Sequence, residues 1–118
     1  MKFALLFQEP AAEFASRNDP AKAPAYWGAW KAYIEAVRAA GVMVGGAGLM
    51  PPDTATTLRL RGGERLEQDG PFADTKEQLG GFVMIDVPDP DAALAWAARS
   101  PAVSVGSVEV RPELPPMK

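Results

Sequence analysis

The groups best equipped for chemistry gather in one short run, where Asp69, Asp74, Thr75, Lys76 and Glu77 bring together three carboxylates, a hydroxyl and an ammonium. A carboxylate enclosed in a dry pocket rises in pKa and can then accept a proton. Asp69 is the candidate for that part, with Lys76 or an arginine stabilising the negative charge that develops. Phe72, Thr75, Lys76, Glu77 and, from farther up the chain, Trp27 would form the walls of a ligand site. The competing reading is structural, because an aspartate before Gly70-Pro71 commonly organises a turn through backbone hydrogen bonds. Histidine and cysteine are both absent. That removes the commonest general base, the commonest metal ligand and the thiolate nucleophile. Asp69, Asp74 and Glu77 would make only a weak site for a hard cation. No metal and no cofactor are expected.

These residues need elements to position them. Gly70 tolerates a positive φ and Pro71 fixes its own φ, so together they reverse the chain. Asp74 or Thr75 then caps a short helix, Glu77 lies near the positive end of its dipole, and Gly80-Gly81 ends it. Phe82 to Val87 follows as a nearly continuous apolar strand, the pattern of a strand covered on both faces.

Before this run, Lys2 to Phe7 reads as a buried strand and residues 8–23 as a connection with at most one helical turn. Pro24 to Ala40 is the clearest helix, with proline at its first position and Gly41 just past its end. Tyr26, Trp27, Trp30, Tyr33, Ile34 and Val37 fall on one arc of it, with Trp27 at the edge. Val42 to Leu49 is a glycine-rich strand. Its glycines match no phosphate-binding pattern and read instead as a bulge or a close backbone approach. Thr56–Arg61 and Glu64–Gln68 alternate on either side of Gly62-Gly63, a hairpin signal. Asp89-Pro90 starts a second helix, stopped by Pro101. On that helix Leu94 and Trp96 point about 160° apart, so they cannot both face one sheet. Gly106 to Pro112 is a last strand with Val108 and Val110 facing inward, and a proline-rich tail runs from Glu113 to Lys118.

A chain of 118 residues, 47% hydrophobic and 23% charged, is expected to be one domain with its own core. A net charge of −3 with scattered basic residues argues against nucleic acid as a partner. No run reaches the roughly 18 apolar residues of a membrane span. The opening apolar run is too short for a signal peptide, and the expected location is cytoplasmic. Strand, helix, strand, hairpin, strand, helix, strand is the order of an α+β sandwich, most simply a ferredoxin-like βαβ–βαβ fold with an inserted β-hairpin. Helices on one face leave the other bare, and a two-fold homodimer with sheets face to face would cover it.

The stretch from Asp69 to Phe82, DGPFADTKEQLGGF, resembles the signature of the DGPF branch of the YCII-related proteins. Ala39-Ala40-Gly41, Pro51-Pro52 with Thr54-Ala55-Thr56, Asp91-Ala92-Ala93 and Val108-Glu109-Val110-Arg111-Pro112 extend the resemblance over nearly all of residues 1–118. It implies a dimeric α/β barrel of ferredoxin-like subunits, with a cleft between the sheet and the signature loop. Related domains occur beside sigma-factor domains, which implies a link to transcriptional or stress responses. Many members carry a His and an Asp suspected of forming an acid–base pair. This chain can offer only the aspartate, Asp69. Three functions follow as expectations. The first is a dimeric small-molecule-binding module. The second is a cofactor-free acid–base enzyme, a lyase, isomerase or dehalogenase-like catalyst using Asp69. The third is a purely structural or regulatory dimer.

Overall fold

Alternation along the first strand sets the architecture. In β1 (Lys2–Pro10), Phe3, Leu5, Phe7 and Glu9 are buried and the residues between them are only half-buried, so one face of this strand carries the core. The computed structural model describes residues 1–117. β1 is followed by α1 (Ala11–Ser16), α2 (Ala23–Ala39), β2 (Met43–Gly48), β3 (Thr56–Arg61), β4 (Glu64–Asp69), β5 (Glu77–Asp86), α3 (Pro90–Ala98) and β6 (Ser107–Pro112). Short 3₁₀ turns at Pro52–Thr54 and Pro101–Ser104 complete the order.

Four strands form one sheet in the order β2-β5-β1-β6, and every neighbouring pair is antiparallel. The helices α2 and α3 make the two crossovers and lie on one face. Tyr33 and Val37 of α2, with Ala93 and Ala97 of α3, share a core with Phe3, Leu5, Phe7, Val83 and Ile85. Val108 and Val110 pack against that core from β6. This is an α+β arrangement of the ferredoxin-like kind. β3 and β4 form a separate two-stranded ladder, turning at Gly62 (φ 57°) and Gly63 (φ 81°), the conformation that a two-residue hairpin turn requires. Among the described residues, no helix is long and apolar enough to cross a membrane.

The structure corrects two expectations about local structure. Residues 8–23 are more than a connection: β1 runs on to Pro10, and α1 follows directly with Phe14 buried. The strand continues because Glu9 finds buried partners, described below. The short helix expected after Asp74 is replaced by a bend leading into β5, which starts at Glu77 rather than Phe82. Gln78 Nε2 donates to the carbonyls of Ala73 (2.8 Å) and Thr75 (3.2 Å), while Glu77 and Gln78 pair with Pro10 and Glu9 of β1. Ladder pairing satisfies these residues better than a helix too short to repay its nucleation. On α3, Trp96 packs against the core and Leu94 is exposed, which is how their divergent directions are resolved.

Candidate functional site

Glu9 is the anomaly of the core, a carboxylate only 2% exposed on the face that Phe3, Leu5 and Phe7 define. Burial of such a group demands partners. Tyr26, one turn into α2, donates its hydroxyl to Glu9 Oε2 at 2.8 Å and lies 3.0 Å from Oε1. Arg17, just past α1, places Nη2 3.6 Å from Glu9 Oε1. Its Nε donates to the Tyr26 hydroxyl at 2.9 Å, its Nη1 to the Leu49 carbonyl at 2.5 Å, and its Nη2 to the Gly80 carbonyl at 3.2 Å. The guanidinium also lies over the rings of Phe14 (4.8 Å), Trp27 (5.5 Å) and Tyr26 (5.6 Å). One arginine thus ties together β1, α2, β5 and the segment after β2.

The cluster makes room for itself through a glycine. A Cβ on Gly80 would lie 2.8 Å from Glu9 Oε1 and 3.2 Å from Arg17 Nη2. Gly80 also sits where the β1–β5 register shifts, since Phe7 pairs with Gly81 and Gln8 with Leu79. Burial pushes the Tyr26 hydroxyl up to about 12, with the hydrogen bond to Glu9 adding to the rise and Arg17 opposing it. Tyr33, whose hydroxyl donates to the Trp96 carbonyl at 2.9 Å, is also raised to about 12, by burial, with Arg99 opposing the rise.

From this cluster a cleft of about 700 Å³ opens between α2 and the β2–β5 edge of the sheet. Its origin is visible in the pairing. On the helix-facing side, Gly46 of β2 pairs with Val83 and Gly48 pairs with Gly81, so little side chain fills the space beneath α2. Trp27, Trp30 and Ile34 line it from the helix, and Met43, Leu49 and Met50 line it from the strand and the segment beyond. Lys31, Glu35 and Arg38 stand along its rim, all exposed. Gly46 is itself imposed by close packing, since a Cβ there would run into the Phe82 carbonyl.

The residues expected from sequence are distributed over separate places. Trp27 lines this cleft and is 49% exposed, with its Nε1 donating to the Arg17 carbonyl at 3.1 Å. Phe72, Thr75 and Glu77 line a different groove of about 740 Å³, between the end of the hairpin and Pro51-Pro52. Lys76 borders a third, beside α1, which Thr75 also lines. Phe72 is 80% exposed with Arg59 over its ring. Thr75 Oγ1 donates to the Glu77 carbonyl, and Glu77 Oε1 accepts from Ser107. Asp69 ends β4 with an exposed side chain. The turn after it is held by Gly70 N–H donating to Ala55 (2.7 Å) and by Thr57 Oγ1 donating to Gly70 (2.9 Å). Of the stretch from Asp69 to Phe82, it is Gly80, Gly81 and Phe82 that line the cleft at α2. Sequence reasoning missed Glu9, Arg17 and Tyr26 as a unit. The available signal was Glu9 continuing the alternation of Phe3, Leu5 and Phe7, a carboxylate on a face otherwise wholly apolar.

A family model described as the YCII-related domain matches residues 1–115. An uncharacterized protein of Rhizobium meliloti (strain 1021) is 46% identical over 82 residues, which span 68% of this chain and 63% of that protein. Among solved structures, 5-chloro-2-hydroxyhydroquinone dehydrochlorinase from Burkholderia phenoliruptrix AC1100, in complex with 2,5-dihydroxybenzoquinone, superposes with a TM-score of 0.55. That match covers 97% of this chain and 94% of the other at 17% identity, a likeness of fold.

Proposed function

This chain belongs to the YCII-related domain family, and from that premise we propose that it binds a small molecule in the cleft between α2 and the β2–β5 edge. The observation that carries this reading is the Glu9–Tyr26–Arg17 cluster, a buried and mutually held polar end to an otherwise apolar cleft. Ligand sites have this character, with apolar walls giving affinity and a few fixed polar groups giving orientation. An acid–base enzyme is the second reading. Glu9 is a carboxylate at the end of a cleft, in a chain without histidine, and a protein of similar fold is a dehydrochlorinase. In that reading Glu9 takes the proton-accepting part, because Asp69 is exposed and would need a second copy to enclose it.

The same proposal includes a homodimer. Leu6, Phe82 and Met84 are only half-buried on the face of the sheet opposite the helices, with Val44 51% exposed nearby, and a second copy packed there gives the dimeric barrel. Light scattering behind a sizing column is expected to give twice the chain mass, and Leu6→Glu is expected to give the monomer. A monomeric parent chain would remove the dimer from the proposal.

Binding is tested by thermal denaturation and tryptophan fluorescence with a panel of single-ring aromatic compounds, on the parent and on Gly48→Val. A Cβ on Gly48 meets nothing within 4 Å, so valine there projects into the cleft from its floor with no clash at its Cβ. Saturable stabilisation in the parent and its loss in Gly48→Val is the expected result. Stabilisation that persists in Gly48→Val would place binding elsewhere and overturn the reading.

A further inference from the structure

The cleft has three different surfaces, and each selects something. Its floor is peptide backbone: Gly46, Gly48 and Gly81 present no side chain on the helix-facing side. Its opposite wall carries Trp30 and Ile34. An indole facing bare backbone offers a flat apolar surface that suits a stacked ring.

The inner end selects a hydrogen-bond donor. Arg17 is already committed to the Tyr26 hydroxyl, the Leu49 and Gly80 carbonyls and Glu9, and the Tyr26 O–H is committed to Glu9. Arg17 Nη1 keeps one uncommitted N–H, and Glu9, with about four lone-pair positions, keeps acceptor capacity, so a hydroxyl that donates to Glu9 and accepts from Arg17 suits this end. The rim selects a negative charge. Lys31 and Arg38 stand there against the single carboxylate of Glu35, and among the described residues neither cation forms an ion pair. Lys31 lies five residues beyond Tyr26 on α2, roughly 7.5 Å along the helix axis. It also lies about 140° around the helix from Tyr26, so the ammonium stands at the rim while Tyr26 holds the inner end, and a ligand anchored at Glu9 presents its far end toward Lys31.

We infer that the ligand is an aromatic acid, a single planar ring with a hydroxyl that donates to Glu9 and, at the opposite end, a carboxylate that meets Lys31. This rests on the cleft at α2 being the binding site. Arg38, two turns farther along, adds to the attractive field without touching a ligand of this size.

Calorimetric titration with four probes tests the inference: 4-hydroxyphenylacetate, phenylacetate, 4-ethylphenol and tyramine. 4-Hydroxyphenylacetate is expected to bind best, with loss of the hydroxyl or of the carboxylate each weakening binding about tenfold, and tyramine weakest. Lys31→Glu, a change at an exposed position that leaves the core alone, is expected to erase the preference for the carboxylate over tyramine. Added salt should shrink the same preference, and Glu9→Gln should reduce the advantage of the hydroxyl. If 4-ethylphenol or tyramine binds as well as 4-hydroxyphenylacetate, and Gly48→Val abolishes that binding, the aromatic-acid assignment is wrong while the cleft stands. If none of the four binds, the cleft reading fails and takes this inference with it.

Discussion

Replacing Arg17 by methionine should cost more stability than any other single change in the cleft, and a double-mutant cycle with Glu9→Gln shows why. The two side chains are 9% and 3% exposed and 3.6 Å apart. At an effective dielectric constant of about 20, opposite charges at that separation attract by about 5 kcal/mol. Desolvation offsets much of this in the intact pair, but removing one partner of a buried pair typically costs about 3–5 kcal/mol. Arg17→Met also withdraws donors from the Leu49 and Gly80 carbonyls, at about 1 kcal/mol each. The expected loss is therefore about 5–7 kcal/mol, a large part of the roughly 5–15 kcal/mol that stabilises a domain. Glu9→Gln keeps an acceptor for Tyr26 and should cost about 2–3 kcal/mol. The double variant should fall well short of the sum, with a coupling of about 2 kcal/mol or more. Urea unfolding followed by tryptophan fluorescence, at one protein concentration throughout so that self-association cannot contribute, measures all four corners. Costs that add to within about 0.5 kcal/mol would mean the two residues do not act as a pair, and the polar end of the cleft would lose its physical basis.

Two glycines that look alike in the sequence should respond oppositely. Gly80→Ala forces a methyl against Glu9 Oε1 and Arg17 Nη2, both held by other partners, and is expected to cost about 1–3 kcal/mol in the same urea assay. Gly48→Val enters open space and should be neutral or stabilising by about 0.5–1 kcal/mol, because glycine is a poor strand residue. The chain has two tyrosines, and both hydroxyls are raised to about 12. Ultraviolet titration of the folded protein should show little phenolate near pH 10–11. Between pH 10 and 12 the unfolded tyrosines have lost protons that the folded ones retain, so stability is constant below this window and falls through it. Native absorbance that titrates with a midpoint near 10 would show that the hydroxyls are not enclosed.

Much of the frame could be read from residue order. The aromatic arc of α2, the inward Val108 and Val110, and the start of α3 at Asp89-Pro90 all rest on local sequence signals, and each stands where its pattern puts it. The misreadings share a cause. The bend at Asp74–Lys76 was expected to be helical because cap and terminator residues are present, but glycines that end a helix also serve inside a strand. Gly80-Gly81 belong to β5, where partner atoms already occupy the space a side chain would take. From sequence the first strand ends at Phe7, because Gln8-Glu9-Pro10 interrupts the apolar run. In the structure it continues because Arg17 and Tyr26 lie eight and seventeen residues away in sequence and within hydrogen-bonding range of the cluster in space.

The cleft was the hardest feature to foresee, and the reason is geometric. Gly46 and Gly48 come from one strand and Gly81 from another, and they form a single bare floor only because the register pairs Gly46 with Val83 and Gly48 with Gly81. A shift of one residue would send those positions to the opposite face and put the Ala47 methyl under α2. The shift between Met43 and Gly45 sets that phase, and it depends on Gly46, where any side chain would strike the Phe82 carbonyl. So Gly46 fixes the register, the register empties the space, and the emptied space gives the Glu9 cluster an opening to solvent. Gly46→Ala should therefore damage the fold and the site together, whereas Gly48→Val should close the site and leave the fold. Circular dichroism and ligand titration on the two variants separate these outcomes, and equal behaviour in both would break the link from register to site.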